Sequence, residues 1–173
     1  SVLSWVKPVI YFDPNFELDY SGLTLVNEYF KLNKVEYNEQ ENSLALTLNW
    51  IDQTQPIDGI YKLWNAEGVK LLAQHPDAQF ELLCNIDMGG QEIAPIPEFT
   101  GTLNGANFTI SNFTVKGEGA DFGFISVNKG KVNNLYLDKA TFLPGGAANM
   151  GSFAGKNEGT ILRCTITLNL TRS

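Results

Sequence analysis

Catalysis by this chain would have to come from its carboxylates, because its other reactive side chains are few. Asp87, Glu98, Asp121, Asp138 and Glu158 are spread through the second half, beside one histidine, His75, and two arginines, Arg163 and Arg172. A polysaccharide lyase needs clustered carboxylates for calcium and a basic group to abstract a proton; a hydrolase needs several aspartates with a histidine or cation beside them. Stacked repeats could set Asp121 beside Glu158, or Asp87 beside Glu98, but solvated turn residues are the plainer reading, since charged side chains normally stay in water. His75, in "AQHPDAQ", has no partner pattern around it and reads as a surface or capping residue. No His-Glu-x-x-His is present, so no zinc peptidase centre is expected in this chain. The expectation is therefore no enzyme: no catalytic residue, no metal ligand and no cofactor, with no ligand-binding residue assigned.

The stretch "GSFAGKNEGTI", Gly151 to Ile161, raises a second possibility, because its glycines recur every fourth residue. A phosphate-cradling loop would need Lys-Ser/Thr after the glycines, and a helix-packing face would need an apolar 20-mer around them. Neither context exists. The remaining reading is that Gly151, Gly155 and Gly159 mark turns with positive φ, which glycine adopts without steric cost.

Composition narrows the partners. Lys plus Arg number 12 against 19 Asp plus Glu, a formal net charge of −7. Nucleic-acid affinity rests on cations that neutralise phosphates, so nucleic acid is an unfavourable partner. With 173 residues, 43% hydrophobic, the chain can bury a core. No run of about 18 apolar residues occurs, so no transmembrane segment is expected. The opening "SVLSWVKPVI" has none of the parts of a signal peptide, which fits either a cytosolic protein or a trimmed mature one.

The elements that position these residues come from a repeat. Four segments share the pattern apolar-x-x-apolar-x-apolar: "LCNIDM" from Leu83, "ISNFTV" from Ile110, "VNNLYL" from Val132 and "ILRCTI" from Ile161, spaced by 27, 22 and 29 residues. The same register matches Phe124 to Phe153, Asn128 to Asn157 and Gly130 to Gly159. Units this short, rich in β-formers and glycine, suit neither a βαβ crossover nor a helical repeat. A β-solenoid is predicted, each repeat winding once around the axis with parallel strands about 4.8 Å apart. Its inward columns would be Leu83, Ile110, Val132, Ile161; then Ile86, Phe113, Leu135, Cys164; then Met88, Val115, Leu137, Ile166. The third position, Asn85, Asn112, Asn134 and Arg163, would form the bend, where asparagine can hydrogen-bond the backbone. In that register Cys84 and Cys164 lie three steps, about 14 Å, apart, beyond the ~7 Å reach of a disulfide. Two free thiols are expected.

"GSFAGKNEGTI" resembles the GLUG motif, a glycine-rich repeat, with Gly151, Phe153, Ala154, Gly155, Asn157, Gly159 and Ile161 on its pattern and Ser152 in place of a common glycine. "FGFISVNKGKV" is a looser copy that matches at Gly123, Asn128, Gly130 and Val132, with Ser126 where glycine is usual. Upstream, Asn85 to Met88, Pro95 to Phe99, Gly101 to Gly105 and Ile110 to Val115 resemble the coils that commonly precede such repeats, so the likeness runs from about Gly59 to Ile166. It implies a right-handed parallel β-helix of bacterial surface or secreted proteins, among them adhesin-like lipoproteins and the non-catalytic N-terminal region of immunoglobulin A1 proteases.

Two further elements complete the expectation. "WNAEGVKLLAQHPDAQ" fits an amphipathic helix with Asn65 as N-cap and Val69, Leu71 and Leu72 on its apolar face, suited to capping the stack. "NEYFKLNKVEYNEQENSLALTLNW" reads as a strand near Tyr29 to Leu32, a second near Val35 to Tyr37, a polar turn from Asn38 to Ser43, and an alternating strand through Leu44, Leu46 and Leu48. The fold class is thus all-β: a right-handed parallel β-helix over 58–173 with a short capping helix, and a small antiparallel β unit, or the remnant of a preceding domain, over 1–57. "TITLNLTRS" follows a coil without a visible cap, so the chain is expected to continue or its end to be covered by a partner.

Function follows only in outline. The expected role is a non-catalytic module of a bacterial cell-surface or secreted protein, extracellular and adhesin-like, binding a glycan or host protein, or acting as a spacer. The alternative is the accessory N-terminal region of a larger secreted peptidase or glycan-degrading enzyme. Asp87, Thr114, Tyr136 and Thr165 should face outward, and "LPGGAAN", Leu143 to Asn149, reads as an inserted contact loop.

Overall fold

The computed structural model describes residues 5–6, 9–11, 26–27 and 30–169. The chain divides into two compact units, Ser1–Asp52 and Gln53–Ser173.

The first unit is antiparallel. Strands β1 (Trp5–Val6), β2 (Val9–Tyr11), β3 (Val26–Asn27), β4 (Phe30–Asn38) and β5 (Ser43–Trp50) form one sheet in which β5 takes β1, β2 and β4, and β3 lies outside β4. Tyr29 lies outside the described residues; the two runs expected after it are one strand, β4, with a register shift between Leu32 and Lys34. Such an irregularity absorbs an extra residue without ending the ladder. The polar turn forms as the side chains dictate: the Asn38 carboxamide oxygen accepts from the backbone N–H of Gln40 (3.0 Å) and Glu41 (3.3 Å).

The second unit is a β-solenoid of about three turns. Its elements are β6 (Ile60–Leu63), α1 (Ala66–Gln74), β7 (Gln79–Leu82), β8 (Ile86–Ile93), β9 (Thr102–Asn104), β10 (Thr109–Gly117) and β11 (Asp121–Phe122). They continue with β12 (Ile125–Asn128), β13 (Lys131–Asn133), β14 (Tyr136–Pro144), β15 (Asn149–Met150), β16 (Ala154–Asn157), β17 (Thr160–Leu162) and β18 (Thr165–Leu168). Four parallel sheets run along the stack, in the orders β17-β13-β9-β7-β6, β18-β14-β10-β8, β11-β15 and β12-β16. Successive coils therefore lie on one another, and their inward side chains make the core.

The columns differ from the expected ones in the first two coils. Val132 does lie on Ile161, and Leu137 on Ile166. Val132's other neighbour, however, is Leu103 rather than Ile110, and Ile110 pairs with Ile86 and Leu137. The true columns are Tyr61, Phe80, Leu103, Val132, Ile161 and Ile86, Ile110, Leu137, Ile166. The cause is turn length. Coil to coil, "LNGANFTI" spends two more residues than "VNNLYL" between equivalent apolar positions, so an alignment fixed on the three-point pattern slides.

The bend moves accordingly. Asn134 and Arg163 do occupy equivalent corners with left-handed φ of 51° and 54°, but their counterpart in the coil before is the pair Ala106 and Asn107. Asn112 (φ 59°) belongs to a second kink inside β10, matched by Lys139 (φ 51°) in β14 and by Gly89 and Gly90 in β8. Asn85 has no left-handed φ; its side-chain oxygen instead accepts from the Thr109 N–H of the next coil at 2.9 Å. The kink at Asn112 explains why side chains 110, 113 and 115 can all point inward, whereas 86 and 88 do so by ordinary strand alternation.

The motif glycines are needed for a different reason from the one expected. Gly155 and Gly159 are not in the left-handed region. A Cβ on Gly155 would lie 2.3 Å from the Phe122 backbone nitrogen, and one on Gly159 would lie 2.2 Å from the Gly130 carbonyl oxygen. Close approach of neighbouring coils leaves room only for hydrogen.

Helix α1 closes the first coil. Asn65 is its N-cap, accepting from Gly68 N–H at 3.2 Å, and Val69, Leu71 and Leu72 are buried in the core. It packs on β6 and β8, the outermost strands of the two large sheets. His75, the C-cap, stacks on Tyr61 (centroids 5.2 Å), which stacks on Phe80 (5.2 Å), so the histidine covers the end of an apolar column.

Candidate functional site

A regular surface is formed by the outward face of the β8, β10, β14 and β18 sheet. Residues between the buried Ile86, Ile110 and Leu137 positions must point away from the core, because side chains alternate along a strand. One rank is therefore Thr109, Tyr136 and Thr165, and the next is Asp87, Ser111 and Asp138. Beyond the kink runs a third rank, Glu92, Thr114 and Thr141. All four residues expected to face outward lie on this sheet, with Asp87 and Thr165 exposed and Thr114 and Tyr136 half-buried between neighbours.

Hydrogen bonds tie the ranks. The Asp87 carboxylate accepts from Gly89 N–H (2.8 Å) and from the Asn112 side-chain amide (3.4 Å), and the Thr167 hydroxyl donates to Asp138. Lys116 reaches Glu92 at 3.9 Å. Carboxylates, hydroxyls and one phenol are thus presented in register with the coils, about 4.8 Å from rank member to rank member.

The loop expected as an insertion is ordinary. Gly117 pairs with Pro144 and Asp121 with Asn149, so the later turn is one residue longer than its counterpart. It follows the turn below closely, with Gly145 N–H donating to Gly117 O at 2.9 Å and the Asn149 side-chain amide donating to Asp121 at 2.8 Å. The sequence lacked a correct register to measure it against.

Other charges near the later coils form structural pairs. Lys129 contacts Glu98 (3.0 Å) and Glu158 (3.9 Å), and Lys156 contacts Glu158 (2.6 Å). The hydrogen bond and charge of Glu98 raise the Lys129 pKa, and those of Lys156 lower that of Glu158. Asp121 acts on Glu158 only electrostatically, with Lys156 nearby, whereas Asp87 and Glu98 are held by separate partners. Among the described residues no group of three or more His, Cys, Asp or Glu side chains is placed to hold a metal ion.

Sequence reasoning aligned Asn128 with Asn157 but did not mark it as buried. Asn128 is fully enclosed, donates to Asn157 Oδ1 (2.8 Å) and Thr160 O (3.3 Å), and accepts from Gly130 N–H (3.1 Å). Every polar atom of the amide is used, as burial demands. Cys84 and Cys164 are free thiols; each sits two residues before the Ile86 to Ile166 column, with Phe108 and Leu135 between them. Burial raises both thiol pKa values, and backbone hydrogen bonds at Leu135 and Leu162 pull Cys164 part of the way back.

The architecture defines a parallel β-solenoid protein with polar, regularly spaced ranks on one sheet. Among curated proteins the chain is similar to halomucin of Haloquadratum walsbyi, 30% identical over an aligned 162 residues that take in 83% of this chain. The chain spans 2% of the length of that relative. No family model matches the chain, and no solved structure does. Fold and likeness are compatible with a non-catalytic surface module. No helix among the described residues is long and apolar enough to cross a membrane.

Proposed function

We propose that the chain is a non-catalytic module of a cell-surface or secreted protein, and that it binds an extended extracellular ligand, a glycan or a protein, along the outward face of the β8–β10–β14–β18 sheet. The observation that carries the reading is the set of ranks through Tyr136 and Asp138, where hydrogen-bonding groups repeat at the coil spacing over a broad surface. Extended polymers suit such a surface because each added coil repeats the same contacts. The GLUG likeness of Gly151 to Ile161 supports a surface location, as does similarity to a protein named as a mucin. Asp87, Glu98, Asp121 and Glu158 support a role without chemistry, because each has a local backbone, amide or lysine partner.

A glycan and matrix-protein array, probed with the purified chain with and without calcium, tests the reading. Saturable binding to one ligand class, weakened by Tyr136→Ala and by Thr165→Lys, is the expected result. Silence across the array, or binding that ignores both substitutions, overturns the binding role and leaves a spacer. The second reading is an accessory region of a larger enzyme; a hydrolytic or proteolytic centre elsewhere in the native polypeptide would establish it.

A further inference from the structure

The corner between β9 and β10 carries a side chain that the fold does not use. Asn107 is exposed, with a left-handed φ of 66°, a conformation that asparagine adopts more readily than most residues. Its backbone is held in place: its N–H donates to the Asn134 carbonyl of the next coil at 2.9 Å, and the Phe108 N–H donates to Gly105 O at 2.8 Å. Its carboxamide has no partner among the described residues. Strands β9 and β10 each have a neighbour on both sides, so Asn107 is exposed because it stands at a corner, in the middle of the stack. Phe108 packs against the core, and Thr109 stands in the outward rank with Tyr136 and Thr165. Asn107 and Thr109 therefore lie outside the core on either side of an anchored aromatic ring, in the order Asn-x-Thr.

We propose that Asn107 is a site of N-glycosylation, an inference that rests on the proposed surface or secreted location. Asn-x-Ser/Thr is the acceptor sequence of that modification, which adds a bulky hydrophilic group and so needs a surface position. The donor is a lipid-linked oligosaccharyl phosphate, used by a transferase of the exporting cell. Asn107 Nδ2 bonds to the anomeric carbon of the first sugar, the bond from that carbon to the phosphate oxygen breaks, and the phosphate leaves with the electron pair while the amide gives up one proton. No contact of the side chain has to be broken for the glycan to fit the folded chain. The other two Asn-x-Thr sequences are placed differently. Asn112 is half-buried in the kink of β10, where its amide donates to Asp87 of the coil beneath at 3.4 Å, and the Asn169 amide donates to Lys139 O at 3.1 Å. Asn134, at the equivalent corner one coil on with φ of 51°, is followed by Leu135 and Tyr136 and lacks the hydroxyl residue.

Mass spectrometry of the tryptic peptide from Leu71 to Lys116, taken from protein isolated from its own cells, reads the outcome. The expected result is a peptide heavier by an oligosaccharide, placed at Asn107 by fragmentation. In variants expressed in the same cells, Asn107→Gln and Thr109→Val should each abolish that increment, whereas Thr109→Ser and Asn112→Gln should keep it. Retention in Thr109→Ser separates an acceptor hydroxyl from a structural role for Thr109. Protease treatment of intact cells and recovery from the medium, on the same preparation, locate the protein. An unmodified Asn107 on protein that is secreted or reached by the protease overturns the inference and leaves the surface reading standing; unmodified protein protected inside the cell overturns both. Modification at Asn112 or Asn169 with Asn107 bare, or an increment unchanged in Asn107→Gln, also overturns the inference.

Discussion

Gly159 and the Gly130 carbonyl of the coil beneath it meet so closely that even a methyl group has no place, since the added carbon would sit 2.2 Å from the oxygen. Backbone rather than a flexible side chain blocks it, so relaxation must move a coil. Gly159→Ala should therefore cost about 1–3 kcal/mol, the usual range for overpacking, read as a lower urea midpoint at unchanged m-value. Glu158→Ala, at an exposed neighbour, should stay within about 0.5 kcal/mol. The thiols give a second residue-scale prediction. Burial raises the Cys84 and Cys164 pKa values, so less thiolate exists at neutral pH than in an unfolded chain. Alkylation of the native protein should be slow, should accelerate as pH rises past the ordinary thiol range, and should reach the free-thiol rate in denaturant; equal native and denatured rates would contradict the burial. The sequence showed the glycines, the Asn128–Asn157 match and the unpaired cysteines. It did not show that the glycines serve close approach, because a contact between coils leaves no local mark that distinguishes it from a turn.

Helix α1 is the element whose loss should matter most, and it was readable almost entirely from "WNAEGVKLLAQ". Its start depends on one carboxamide: Asn65 caps Gly68 and also receives the Gln53 side chain, while Gln53 accepts from Trp64 N–H at 3.1 Å. Asn65→Ala should remove about 1 kcal/mol, as loss of an N-cap generally does. Leu72→Ala should remove more, about 2–5 kcal/mol, because Leu72 is wholly buried against the first coil. Thermal or urea denaturation of the two variants orders them, and the reverse order would mean that the helix is held by its cap rather than its packing. The strands were less legible than the helix. Their existence followed from β-prone apolar residues, but register depended on turn lengths, and the two extra residues around Gly105 and Ala106 moved Ile110 from the column of Val132 to that of Leu137. Periodicity reports which face a residue takes; it does not count how many residues a corner consumes.

At the scale of the whole molecule, charge divides unevenly between the two units. The first unit, to Asp52, carries eight acidic and three basic residues, and the second carries eleven and nine, so the net charge of −7 splits into −5 and −2. The hydrophobic core cluster of the described residues runs from Leu63 to Ala140, entirely within the second unit. Gln53 is also buried there, tied to the helix start, so the solenoid's own contacts begin at its first residue. A unit with its own core and cap should fold without its neighbour. Limited proteolysis should consequently leave a resistant fragment that begins close to Gln53, identified by its mass. Residues 53–173 expressed alone should show a β-type circular dichroism spectrum and a cooperative urea transition. That fragment should also elute from an anion exchanger at lower salt than the full chain, since most of the excess negative charge has left with the first unit. If residues 53–173 instead fail to fold, the antiparallel unit supplies stability that the solenoid core lacks, and the boundary at Asp52 divides the contacts without dividing the folding.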